Sequence, residues 1–271
     1  MAAMKVLTYN IHGWLTPEGA PNLDLLAEVI LASGADIIGL NEVFHPYPTA
    51  AGPALDQLAR RLGMNSAFGP TIAANPQPGD VPYGNAVLSR WPILAYAAHH
   101  LTPMTSYGQR GLLEARLALP DGHPFTVYGV HLDHRLEDLR VQQWAAALTW
   151  LSRDRSRPHL LMGDFNALSP TDFADPASLE QIRAVQESRG WAPPAFRLME
   201  QVARAGYLDA FVVGGLGPAE TWAANQPDRR IDYILYPAAW ADVRVNCRRW
   251  DALPANQASD HLPVLAEFVT T

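Results

Sequence analysis

Cysteine and lysine are almost missing from this chain, each occurring once, as Cys247 and Lys5. A single thiol excludes an internal disulfide. The alternation from Val243 to Cys247 reads as a strand with a buried, inert sulfur. Lysine's place is taken by arginine amid abundant alanine and proline, a bias of composition and not a binding signature. Twenty basic residues against 27 acidic ones leave a net charge of -7 and a pI near 5.7. That balance disfavours a broad basic face for gripping long nucleic acid, although acids gathered round a metal would weaken the restriction. No apolar run approaches the roughly 20 residues of a membrane-spanning helix. The start Met1–Leu7 is too short and lacks the basic n-region of a signal peptide, so a soluble cytoplasmic protein is expected. Neither repeats nor low-complexity tracts occur. At 48% hydrophobic content, residues 1–271 are read as one domain with a large core.

What is present is an order of strands and helices. Val6–Asn10 reads as a strand that delivers Asn10 at its end. Asn22 is placed to cap the next helix, in which Leu23, Leu26, Ala27 and Ile30 share a face and Ser33-Gly34 ends it. Asp36–Leu40 is an apolar strand that hands over Asn41 and Glu42. Polar residues at both strand ends of such a strand-helix-strand unit sit where α/β sheets build sites. A helix over 54–62 and strands over 64–69, 83–89, 93–101, 112–119 and 125–131 follow, the last four without helices between them, as in an antiparallel stretch. A helix spans 135–153. The strand ending in Leu160-Leu161-Met162-Gly163 comes next, then about 25 residues rich in Asp, Pro and Ser, helical over 179–189. An excursion of that length is more often a functional rim than a linker. A helix over 196–205 and strands over 231–236, 243–247 and 263–268 complete the chain.

Gly163-Asp164-Phe165-Asn166 stands out because the apolar run stops at a glycine, where the backbone must pass close to something else. In an extended chain Asp164 and Asn166 share one face and Phe165 turns to the core. Alone, the pair would read as an Asx turn. Asn10, Glu42, His131, Asp232 and the pair Asp260-His261 arrive at strand ends in the same way, and that recurrence points to one polar cleft.

In combination and order, seven motifs resemble the metal-dependent endonuclease/exonuclease/phosphatase superfamily. They are Tyr9-Asn10-Ile11-His12-Gly13, Leu40-Asn41-Glu42-Val43, Tyr83–Arg90, Gly129-Val130-His131, Gly163–Ala167, Arg230–Ile234 and Ser259–Pro263. Asn41 departs from the glutamine more usual before that glutamate. The resemblance implies an α/β fold, a four-layered α/β/β/α sandwich of two packed, mostly antiparallel sheets, and phosphate-ester hydrolysis assisted by Mg²⁺ or Mn²⁺. Oxygen-rich candidate ligands with almost no sulfur suit those ions better than Zn²⁺. By resemblance Glu42 is the principal ligand, with Asn10 beside it and Asp260 close to the ion or its water shell. His261 would be a general base or a phosphate-side cation oriented by Asp232. Asp164 would position or deprotonate the attacking water, Asn166 would donate to a phosphate oxygen, and His131 would stabilise developing charge or protonate the leaving oxygen. Whether His261 or Asp164 is the base stays open at this point. Arg110 and Arg230 are candidates for contacting substrate phosphate, Arg230 because it shares a face with Asp232 two residues on.

For substrate, the acidic balance favours a phosphodiesterase acting on a small phosphorylated molecule or a lipid head group. A DNA or RNA nuclease of abasic-site or DNase-like type is the alternative, disfavoured by the scarcity of lysine and by the lack of a basic, aromatic-interleaved loop. A non-catalytic binding module on the same fold ranks last, since every expected catalytic side chain is present. Oligomeric state is not legible.

Overall fold

The structure is a computed structural model describing residues 3–73, 75–106, 108–173, 176–191, 193–240 and 242–270. Met1 and Ala2, part of the leader reading, lie outside them. The strands, in chain order, are β1 (Met4–Asn10), β2 (Ile37–Phe44), the short pair β3 (Pro48–Thr49) and β4 (Gly52–Pro53), β5 (Asn65–Pro70), β6 (Tyr83–Ser89) and β7 (Ile93–His100). They continue with β8 (Gly111–Ala118), β9 (Pro124–His131), β10 (His159–Asp164), β11 (Tyr207–Asp209), β12 (Asp232–Pro237), β13 (Val243–Arg249) and β14 (Val264–Thr270). The helices are α1 (Leu23–Ser33), α2 (Ala54–Leu62), α3 (Glu137–Leu151), α4 (Pro176–Ser188), α5 (Arg197–Arg204), α6 (Ala210–Gly214) and α7 (Ala255–Ala258).

Two six-stranded sheets carry the fold, in the orders β13-β14-β1-β2-β6-β5 and β11-β12-β10-β9-β8-β7. Both are antiparallel except for one inner parallel pair each, β1 with β2 and β9 with β10. A parallel pair needs a crossover, and α1 and α3 supply it. Side chains alternate between two buried faces, as in β10, where Leu160 and Met162 face the opposite sheet while Leu161 faces α3 and α5. Three core layers result: α1 and α2 against the first sheet, sheet against sheet, and α3 with α5 against the second sheet. This is the expected α/β/β/α sandwich. Among the described residues no helix is long and apolar enough to cross a membrane.

Three local expectations need correction. β6 does not join the antiparallel run that follows it. It pairs with β2 and β5 in the first sheet, while β7, β8 and β9 form a meander in the second. Asn22 does not cap α1; its amide is buried and donates to the carbonyls of Ile11, Leu15 and Ala258, tying the first loop to α7. The short elements β11, α6 and α7 fell in stretches too brief for periodicity to mark.

Candidate active site

The carboxyl ends of both parallel pairs open on the same edge of the sandwich, which brings Asn10, Glu42, His131 and Asp164 together. Antiparallel neighbours add the rest. In the second sheet Asp164 lies in register with His131 on one side and Asp232 on the other, and His261 precedes β14. Two backbone features aim these side chains. A register shift between Leu40 and Val43 bulges β2 at Asn41 and Glu42, and Glu42 adopts a left-handed φ of 58°. Gly163 has a φ of 142°, and a Cβ there would lie 1.9 Å from the Val130 carbonyl oxygen, so only glycine lets β10 run this close to β9. Asn166, at φ 50°, shares the unusual backbone of Glu42.

The resulting cleft encloses about 300 Å³ and is lined by Glu42, Arg110, His131, Asp164, Asn166, Asp260 and His261 together with residues the sequence did not single out. Asp164 is its hub. Oδ2 of Asp164 accepts from Asn10 Nδ2 at 3.1 Å and has His131 Nε2 at 3.5 Å and His261 Nε2 at 3.8 Å. Its other oxygen accepts the Asn166 N–H at 2.9 Å, so the local Asx turn and the site residue are the same structure. Burial, reinforced by the nearby Asp232, pushes the Asp164 carboxyl up to about 7 even though His261 opposes the shift. Phe165 is buried beneath, edge-on to Tyr233.

His261 donates through Nδ1 to Asp232 at 2.9 Å, and Thr221 donates to the same carboxylate oxygen at 2.6 Å. Burial alone would discharge this imidazole, but the carboxylates of Asp232, Asp164 and Asp260 overcome it and raise it to about 10. His131 goes the other way. Burial and the positive charge of Arg110 hold it well below the ordinary imidazole range. Arg110 is half-buried at the cleft, with guanidinium nitrogens 3.2 Å from His131 Nδ1 and 3.3 Å from His134 Nδ1.

The candidate metal ligands fit a hard cation. Glu42 and Asp260 both line the cleft, and among the described residues neither is ion-paired with arginine or lysine, which leaves two carboxylates whose charge a cation would balance. Asn10 lies beside Glu42, its amide nitrogen 3.1 Å from the Glu42 carboxylate, and its Oδ1 accepts the His12 N–H. Asp164, Asp232 and His261 also offer ligand atoms within 4.8 Å of one another.

Arg230 does not reach the cleft. Its guanidinium is buried between Asp172, at 2.9 Å, and Asp209, at 2.6 Å, and packs on Tyr233 and Phe211. The assumption that Arg230 and Asp232 share a face fails because the chain is not yet in β12 at Arg230. Its neighbour Arg229 lines the cleft instead, paired with Asp228 and lying 5.0 Å over Trp222.

Sequence reasoning also passed over Trp191 and Arg140, which line the cleft, and Asn41. Asn41 donates to Asn85 and to the Val130 carbonyl and accepts the Asp164 N–H at 2.9 Å, joining the two sheets directly beneath the site. Its departure from the usual glutamine was the available signal. His12 bonds to the Leu15 carbonyl behind the site. Asp133 is buried, accepting the N–H groups of Arg135 and Leu136 just ahead of α3.

The sequence profile of the Endonuclease/Exonuclease/phosphatase family matches residues 7–261. The chain belongs to this family. No curated protein matches it significantly in sequence. Among solved structures it resembles an endonuclease/exonuclease/phosphatase from Beutenbergia cavernae, with a TM-score of 0.72 and 23% identity over 100% of this chain and 72% of that one. The human Nocturnin catalytic domain with bound sulfate gives 0.69 and 24%, covering 99% and 94% of the two chains. A mannosyl-6-phosphatase from Bacteroides thetaiotaomicron gives 0.67 and 16%, covering 98% and 99%. Family and fold make the protein a phosphoric ester hydrolase of the phosphoesterase or nuclease type, in a metal-dependent family.

Proposed function

We propose that this enzyme is an Mg²⁺- or Mn²⁺-dependent phosphodiesterase acting on a small phosphorylated molecule or a lipid head group. The observation that carries the substrate class is the cleft itself, about 300 Å³ and walled on the side of the long excursion by Gln186, Trp191, Pro194 and Ala195.

Glu42 and Asp260 would hold the cation, which when bound neutralises phosphate charge as a Lewis acid. The proton arrangement assigns the remaining roles. His261, with its proton affinity raised by Asp232, serves as the cation beside a non-bridging phosphate oxygen. Asp164, with its affinity for a proton raised by burial, is the general base for the attacking water. Asn166 keeps one amide hydrogen on the Leu132 carbonyl at 3.2 Å and has a second for a phosphate oxygen. Arg110 adds positive charge to the same wall.

Bis(p-nitrophenyl) phosphate, plasmid DNA, abasic oligonucleotide, RNA, sphingomyelin, phosphoinositides, nucleotides and sugar phosphates, each with Mg²⁺ and Mn²⁺, form the deciding panel. Hydrolysis that EDTA abolishes and either ion restores is expected, with small substrates ahead. Efficient plasmid cleavage at physiological salt would make the enzyme a nuclease, and indifference to chelator would remove the metal.

A further inference from the structure

His131 meets a donor on one ring nitrogen and an acceptor on the other. At Nδ1 stands the Arg110 guanidinium, 3.2 Å away, and arginine has five N–H donors and no lone pair. The Tyr83 hydroxyl also lies 3.2 Å from Nδ1. Arg110 is hydrogen-bonded to Tyr83 as well, which occupies the phenol oxygen and turns its hydrogen toward the ring. At Nε2 stands the Asp164 carboxylate, 3.5 Å away, which when ionised only accepts. A proton on Nδ1 would point at guanidinium hydrogens, and the lone pair left on Nε2 would point at a carboxylate.

We propose that Arg110 is a positioning residue whose guanidinium holds His131 in the neutral Nε2–H tautomer, so that His131 serves the reaction as a hydrogen-bond donor and never as an imidazolium acid. The same donor reaches Nδ1 of His134 at 3.3 Å, so one arginine sets the hydrogen-bonding sense of two imidazoles on one cleft wall. Arginine suits the task because it stays charged at any working pH and spans both rings with one planar fork. Arg110 has no carboxylate partner among the described residues, which leaves its charge directed at the rings and the cleft. The burial of His131 and its depressed proton affinity agree with the same picture.

The reaction role rests on the hydrolase reading above, whereas the tautomer can be read without substrate or metal. Long-range proton–nitrogen correlation spectra of the full-length, nitrogen-15-labelled protein, with the ring assigned by its loss in His131→Asn, report which nitrogen carries hydrogen. Wild type should show Nε2 protonated and Nδ1 bare across neutral pH. Arg110→Lys, still donor-only, should keep that tautomer and stay within about tenfold of wild-type kcat. Arg110→Glu supplies only acceptors, so it should admit Nδ1–H and lower kcat by about ten- to a hundredfold with a smaller change in KM. Tyr83→Phe removes the hydroxyl that lies against Nδ1 and should leave the tautomer in place. Protonated Nδ1 in the wild type overturns the proposal even if every variant misfolds. So does an unchanged tautomer in a folded Arg110→Glu protein, including the case where only KM rises, which would make Arg110 a substrate contact. If no substrate of the panel is hydrolysed while the tautomer is as stated, the hydrolase reading fails and the assignment of Arg110 to His131 stands.

Discussion

His131 and His261 approach the same carboxylate oxygen of Asp164, at 3.5 and 3.8 Å, and both are buried, yet one is held well below the ordinary imidazole range and the other raised above it. Burial is the largest influence on each and pushes both toward the neutral form. The atom behind each ring decides the outcome: a guanidinium at His131 Nδ1 and a carboxylate at His261 Nδ1. One cleft therefore sets two imidazoles to opposite proton affinities, a division of labour that residue type alone does not reveal.

The strongest way to break this contrast is to remove the cation. His261→Ala should cost at least about a hundredfold in kcat, and Asp232→Asn, which deletes the counter-charge but keeps the shape, should fall close behind. Steady-state kinetics with bis(p-nitrophenyl) phosphate measures both, and a near-normal Asp232→Asn enzyme would show that the charge on His261 is not needed. On the neutral side, His131→Ala should lose about tenfold to a hundredfold in kcat, and His131→Gln, which retains a donor, should lose less. Equal losses in the two variants would count against a pure donor role.

Arg230 sharpens the contrast from outside the cleft, since its buried guanidinium is matched by two carboxylates. Arg230→Met should lower unfolding free energy by about 3–5 kcal/mol because it strands Asp172 and Asp209. The folded fraction should keep its kcat within about twofold. Urea unfolding and active-fraction-corrected kinetics separate the two effects, and a stable but inactive variant would return Arg230 to the site.

The smallest effect expected is on stability against pH. His261 holds its proton more tightly folded, at about 10, than a free imidazole does, near 6.5. Its contribution is therefore complete below the free value and is lost as pH rises through about 10. Thermal midpoints measured between those limits should decline more steeply in wild type than in His261→Gln. Parallel profiles would mean that the imidazolium contributes nothing to folding.

Much of this was written along the chain. Alternating apolar runs marked nearly every long strand, helical spacing marked α1, α2 and α3, and polar residues at strand ends named Glu42, His131, Asp164, Asn166, Asp232, Asp260 and His261, because these signals depend on neighbours within a few residues. Tertiary structure decided whatever depends on a distant partner. It moved β6 into the other sheet, turned Glu42 into the cleft through a bulge, buried Arg230 between Asp172 and Asp209, and brought Trp191 from the excursion to the wall. It also moved the proton affinities of two identical side chains in opposite directions, since Arg110 precedes His131 by 21 residues and Asp232 precedes His261 by 29. A proton's position follows the nearest charge in space, and that distance is set only when the sheets pack.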